Sequence, residues 1–314
     1  MGRFLAPADR RLNSRFAPAM TPSTLSPDSP AFFDLSGRVK LRVTGGDSFR
    51  YLNGQITNDL RKATASTAIP ASLLSAKGKM SAHVFTSREG DSFLLDCDPE
   101  LREELPARLE RYIIADDVQI EDVTEQFSIF HLINGHAGFE SAARSIAANR
   151  FGLAGLDLWL DRSLEAEVRR QLSADARFVN AEHAEVFRIE QGVARWGREL
   201  TSEIIPVEAN LEGSSIDYSK GCYIGQEVIS RMKMSGQTNK RLCGLVSLAP
   251  LEPGARLTDE ADPAKDAGWV TSAAHSDRLG KEIALGYVKR GWNNVGTRLR
   301  AADVAAEVTA LPFV

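Results

Sequence analysis

Polar and apolar residues alternate through Arg38-Val39-Lys40-Leu41-Arg42-Val43, the period of a strand with one buried face. Gly45-Gly46 then supplies a turn, and Asp47 stands where it would cap a short helix through Tyr51 and Leu52. Residues 71–74 and 80–85 read as strands around a Lys77-Gly78-Lys79 turn. Residues 92–96 read as a third strand after the Glu89-Gly90-Asp91 turn. Leu101, Leu105, Leu109 and Tyr112 share one helical face, and Pro106 is expected to bend or split that helix. Further on, 118–121 and 129–133 predict strands, 142–148 a helix, 156–160 a strand and 164–172 a helix. Asn180 is placed to cap a helix through Val186, Ile189 and Glu190, and 227–232 predicts one more.

From Leu242 the texture changes to short alternating strands separated by Pro- and Gly-rich turns, at 242–248, 268–273 and 283–288, with a last pair near Arg298 and Val304. That is the pattern of a small β-barrel or sandwich. The pattern as a whole predicts an α+β chain: a tail over 1–30, an α+β domain over 31–125, a second over 126–235, and a β-barrel over 236–314.

Composition narrows the class. With 43% hydrophobic and 25% charged residues the chain can bury substantial cores, and no apolar run reaches membrane-spanning length, so no membrane anchor is expected. A net charge of -4, from 38 basic and 42 acidic residues, gives no general electrostatic footprint for nucleic acid. Direct nucleic-acid binding is therefore not expected. Cys97, Cys222 and Cys243 are odd in number and far apart, a poor disulfide framework that fits a reducing compartment. No HExxH spacing is present and His131 and His136 lie five apart, so no metal site is expected. Arg3, Arg10, Arg11 and Arg15 lie among Ser, Thr and Pro, which reads as a disordered tail. The location expected is the cytoplasm, or the mitochondrial matrix if this extension is a transit peptide; Met20 is an alternative start.

The most informative string is Lys220-Gly221-Cys222-Tyr223-Ile224-Gly225-Gln226-Glu227. It sets a cysteine between a cation and the first turn of a helix, and both favour a thiolate. The same residues are equally compatible with an ordinary buried thiol. Ser75-Ala76-Lys77-Gly78-Lys79-Met80 lacks the early glycine and the hydroxyl of a phosphate loop, and there is no GxSxG elbow. Asp116-Asp117 reads as a solvated turn rather than an acid/base pair.

The octapeptide resembles the signature of YgfZ-type folate-binding proteins, a branch of the aminomethyltransferase (GcvT-like) superfamily. Other segments agree in order: Val43-Thr44-Gly45-Gly46-Asp47, Leu52-Asn53-Gly54-Gln55-Ile56-Thr57-Asn58-Asp59, Ala76-Lys77-Gly78-Lys79-Met80, Arg111-Tyr112-Ile113 through Asp117-Val118, Arg188-Ile189-Glu190-Gln191-Gly192, and Ile205-Pro206-Val207-Glu208-Ala209-Asn210-Leu211. The resemblance, which runs from about Phe33 to the C-terminus, implies a three-domain cloverleaf around a central channel for tetrahydrofolate, with the first two domains interleaved along the chain. It also implies work on iron–sulfur proteins, with assembly or client proteins as partners.

Residue by residue, the resemblance gives Glu190 the position whose carboxylate meets the pterin, and a carboxylate suits paired N–H donors. Lys220 would attract the folate's acidic tail or act on Cys222, and Tyr223 would pack beside the ligand. Thr57, Asn58 and Asp59 would line the channel, or serve only as turn caps. Gly221, Gly225, Gln226 and Glu227 carry over as motif members, and Arg231 lies one helical turn from Glu227. One departure matters. Transferases of the superfamily carry an aspartate just beyond the glycine turn, where this chain reads Met80-Ser81-Ala82-His83-Val84. The expected function is therefore a tetrahydrofolate-binding factor for iron–sulfur cluster assembly or repair, with Cys222 as its functional thiol. The alternatives are a tetrahydrofolate-dependent aminomethyltransferase and a folate-dependent helper of tRNA modification.

Overall fold

Alternation in the first segment does produce a strand, but its polar face is not left to solvent. The computed structural model describes residues 29–135 and 143–314, so residues 1–28 of the tail expected over 1–30, and His136, lie outside the described residues. The described elements are β1 (Ala31–Asp34), β2 (Val39–Thr44), α1 (Ser48–Gln55), β3 (Ile69–Leu74), β4 (Met80–Glu89), β5 (Ser92–Cys97), α2 (Glu104–Glu110), β6 (Gln119–Asp122), β7 (Phe127–Ile133) and β8 (Ala143–Ala148). They continue with β9 (Gly155–Asp161), α3 (Glu165–Asp175), β10 (Arg177–Val179), α4 (Ala181–Glu190), α5 (Glu212–Ser215), α6 (Gln226–Ser235), β11 (Lys240–Ser247), β12 (Arg256–Asp259), β13 (Asp266–Ser276), β14 (Lys281–Lys289), β15 (Arg298–Ala301) and β16 (Val304–Thr309).

These strands form two five-stranded sheets, ordered β3-β4-β5-β2-β6 and β10-β1-β7-β9-β8, and a closed barrel ordered β11-β14-β13-β12-β15-β16. The fold is mixed α and β with a C-terminal barrel. The earliest strand does not join the sheet that follows it: β1 lies antiparallel to β7 and parallel to β10. The sheets pack through Leu94, Ile129, Ile146 and Trp159. That packing covers the outer face of β2 and buries Lys40 completely. Its ammonium donates to Ser36 O (2.7 Å) and Arg38 O (2.9 Å), and burial pushes its pKa down to about 8. The largest core joins both ends of the chain: Val39, Leu41, Leu52 and Leu73 share it with Tyr223, Ile229, Leu242 and Tyr287.

Two expectations fail. Residues 143–148 form strand β8, not a helix, because β9 pairs along one edge and the 66–68 segment along the other (Ala68 N to Ala147 O, 2.9 Å; Ala147 N to Ser66 O, 2.8 Å). An alanine-rich stretch has helix propensity, but a ladder to β9 and a bridge to the 66–68 segment outweigh about a few tenths of a kcal/mol per residue. Pro106 does not split a helix either. Helix α2 begins at Glu104, so the proline lies in its first turn, where a missing N–H leaves no hydrogen bond unmade.

Candidate functional site

The octapeptide runs from the stretch after α5 into the first turn of α6, and the chain fastens that stretch to α1 and the turn behind it from both sides of Cys222. Upstream, Asp217 N donates to Thr57 O (3.0 Å). The Asp217 carboxylate accepts from Ser219 N (2.7 Å), Ser219 Oγ (2.9 Å) and Lys220 N (3.2 Å), and pairs with Lys62 Nζ at 2.7 Å. The Lys62 hydrogen bond and these donors hold that carboxyl well below the usual carboxylate range. Downstream, Ile224 N donates to Gly54 O (3.3 Å), and Tyr223 is buried in the main core, where burial raises its phenol to about 12.

Lys220 is the centre of this fastening. Its side chain turns inward, 5% exposed, and the ammonium donates to Asn53 O (2.6 Å), Ile56 O (2.7 Å) and Asn58 O (2.8 Å). Those carbonyls end α1 and open the turn behind it, where a helix leaves acceptors unmet. An ammonium has three donors and all three are used. Burial lowers its pKa to about 8. This corrects the expectation that Lys220 meets a folate's acidic tail: no donor is free to do so.

Gly225 completes the rack. It takes a left-handed φ of 84° at the N-cap of α6, and a Cβ there would stand 2.7 Å from Ser75 O and 3.3 Å from Gly78 Cα. Gly78 in turn approaches Val228, so the Lys77-Gly78-Lys79 turn and the octapeptide touch through two residues without side chains. Between the anchors, Gly221 and Cys222 are exposed. The other two cysteines are buried, and burial raises Cys97 to about 12 and Cys243 to about 11. The structure thus offers one accessible thiol, on a backbone pinned at each side.

The remaining motif positions serve local order. Thr57 Oγ1 donates to Ser215 O and accepts from Ser72 N (2.9 Å); Asn58 Nδ2 donates to Pro70 O (2.8 Å) and Ser214 O (3.1 Å); Asp59 caps the next turn and pairs with Arg61 at 2.6 Å. Thr57 and Asn58 thereby join the α1–β3 turn to α5, and Asp59 orders the turn itself. Gln226 is the first residue of α6, and the exposed Glu227 pairs with Arg231 across one turn.

Glu190 ends α4 at the barrel, far from solvent at 4% exposure. One carboxylate oxygen accepts from Ser276 Oγ, the other lies 3.3 Å from Arg278 Nη2, and Glu190 O accepts from Phe313 N (2.9 Å). Ser276 and Arg278 were not legible as site residues, since they belong to an ordinary hairpin turn in sequence.

Residues 240–314 match the glycine cleavage T-protein C-terminal barrel domain, the span of the closed barrel. The fold superposes on the crystal structure of glycine cleavage system aminomethyltransferase T from Bartonella henselae with a TM-score of 0.78. That match covers 91% of this chain and 86% of that one at 19% identity. The mitochondrial iron-sulfur cluster assembly factor IBA57 homolog of Dictyostelium discoideum is 27% identical over 276 residues, 74% of this chain and 66% of that protein. The tRNA-modifying protein YgfZ of Escherichia coli O157:H7 (strain EC4115 / EHEC) is 29% identical over 238 residues, 68% of this chain and 71% of that protein. The chain thus has the fold of aminomethyltransferase T and is similar over about 70% of its length to proteins named YgfZ and IBA57.

The Met80-Ser81-Ala82-His83-Val84 stretch, which carries no carboxylate, lies at the start of β4 and includes His83. The His83 Nε2 lies 3.1 Å from Ser215 Oγ, its ring meets Phe85 edge-on, and burial pushes it down to about 4, so it is neutral at pH 7. Asp96 on the adjoining strand is engaged by Arg38 and Arg150, Asp98 just past it pairs with Arg38 at 3.0 Å, and Arg150 also holds Asp157 (2.6 Å). For a pterin, by contrast, the residues fit: Glu190 retains lone pairs beyond Ser276 and Arg278, and Arg278 Nε and Nη2 are buried with no hydrogen-bond partner. Among the described residues no cluster of three His, Cys, Asp or Glu side chains has the arrangement of a metal site, and no helix is long and apolar enough to cross a membrane.

Proposed function

We propose that this protein is a tetrahydrofolate-binding accessory factor for iron–sulfur cluster assembly or repair, acting in the cytoplasm through the Cys222 thiol. The observation that carries the reading is the exposure of Cys222 on a loop pinned by Lys220, Asp217 and Gly225, while Cys97 and Cys243 are buried. A pinned loop presents sulfur to a partner with little ordering cost. One thiolate cannot hold a cluster, for which four are usual, so the remaining ligands would come from the client or assembly protein. Tetrahydrofolate, when bound, would supply its pterin and one-carbon chemistry. Glu190 would orient the ring through paired hydrogen bonds, and the barrel hairpin that carries Ser276 would close over it.

The name of the Dictyostelium relative supports the iron–sulfur part, and the fold shared with aminomethyltransferase T supports the folate part. Methylene transfer ranks below because the stretch after the glycine turn, Met80 to Val84, supplies a neutral His83 and no carboxylate. The name of the Escherichia coli relative favours a second reading, a helper of tRNA modification, with the acidic chain acting on proteins rather than on RNA. The test is complementation of a strain lacking the protein. Cys222→Ser should fold and accumulate normally yet fail to restore iron–sulfur enzyme activity. Full rescue would show the sulfur to be dispensable.

A further inference from the structure

The turn between β13 and β14 is built back onto the end of α4. Ser276 is fully buried; its hydroxyl donates to Glu190 and accepts from Leu279 N at 3.2 Å, which fixes the turn at the carboxylate. Arg278 folds over the same carboxylate, with Nη2 3.3 Å from Glu190 Oε2 but outside hydrogen-bond geometry. Nε and Nη2 are both buried and donate to nothing. A guanidinium stays charged at any physiological pH, and a buried donor left unmade is costly, so an ion pair of this quality does not account for the arrangement. A carboxylate acceptor beside unpaired guanidinium donors matches a ring edge that presents an N–H next to a C=O.

We infer that Arg278 is a specificity-determining residue of the folate site, donating to the 4-oxo group of the pterin while Glu190 accepts from the neighbouring ring N–H and amino group. This rests on the folate reading above. Glu190 can accept from N3–H and the 2-amino group of a 4-oxo ring, whereas a neutral 4-amino ring turns an N3 lone pair towards it, so the carboxylate already favours the oxo form. Arg278 carries donors only and has nothing to accept from a 4-amino group. The pair therefore selects the oxo form.

The experiment is anaerobic calorimetry of the full chain with tetrahydrofolate and with its 4-amino-4-deoxy analogue. The wild type should prefer tetrahydrofolate by about tenfold or more, the scale of one charge-assisted hydrogen bond. Arg278→Leu should narrow that preference by binding tetrahydrofolate about tenfold more weakly, with the analogue little changed. Arg278→Lys, which keeps the charge and guards against a folding defect, should retain part of it. Glu190→Gln should weaken both ligands. If the wild type binds tetrahydrofolate while both Arg278 variants keep its affinity and preference, the Arg278 assignment falls and the folate reading stands. Tighter binding by Arg278→Leu would show that the arginine shields the site, and would equally overturn the assignment. If the wild type binds neither ligand, the folate reading falls and takes this assignment with it.

Discussion

Replacing Lys220 by methionine keeps the stem and removes the ammonium, which isolates what that ammonium does. Three carbonyls, of Asn53, Ile56 and Asn58, lose their donor. Stranding buried acceptors costs about 1–3 kcal/mol each, hence about 3–9 kcal/mol in all. Against this, methionine is spared the desolvation of a charge. The depression from 10.5 to about 8 corresponds to about 3 kcal/mol. The net loss should be about 3 kcal/mol, at the low end for breaking a buried charged contact. It should appear locally, as faster hydrogen exchange at Asp217 N and Ile224 N, which bond Thr57 O and Gly54 O. An opening free energy lower by that amount is about a hundredfold in exchange rate. Alkylation of Cys222 should change in the same variant as the loop loosens. Exchange rates equal to wild type would refute the clamp. Equal rates together with weaker binding of polyglutamylated folate would return Lys220 to the ligand-binding role expected from sequence.

Three further outcomes follow from the same coordinates. Iodoacetamide at pH 8 should modify one cysteine of the native protein, because Cys97 and Cys243 are buried thiols raised to about 12 and 11; mass spectrometry showing a second rapidly modified site would contradict this. His83, lowered from 6.5 to about 4, makes the unfolded chain bind more protons between those values. Stability should therefore be complete above about pH 6.5 and fall as pH drops towards 4, by at most about 3 kcal/mol. His83→Gln should flatten that slope in denaturant titrations, and an unchanged slope would place its origin elsewhere. Gly225→Ala puts a methyl 2.7 Å from Ser75 O at a φ of 84°. It should cost about 2–4 kcal/mol, and a loss below about 0.5 kcal/mol in chemical unfolding would show that the turn yields freely.

Much of the site was readable in part. The octapeptide announced itself as a string, but its residues fitted a buried thiol as well as the exposed one that Cys222 presents. The role of Lys220 was not readable, because a lysine beside a cysteine looks the same whether its ammonium faces a ligand or three carbonyls at the end of α1. Arg278 was invisible for a related reason. An arginine in a hairpin turn is usually solvated, and only the docking of the barrel onto α4 brings it to Glu190.

Amino-acid order by itself determined the periods: alternation in β2, β4 and the barrel strands, helical spacing in α3 and α4, and the glycines that permit tight turns. These are local properties, set by the geometry of a few neighbouring residues. Tertiary structure alone decided which faces would be covered and which edges paired. Lys40 lies on the polar face of an alternating strand yet is buried, because the second sheet closes over it. Residues 143–148 could have wound into a helix, but two waiting edges took them as a strand. Burial and pairing come from residues outside the segment, in β9 and in the 66–68 stretch for residues 143–148, and no local pattern records where those will be.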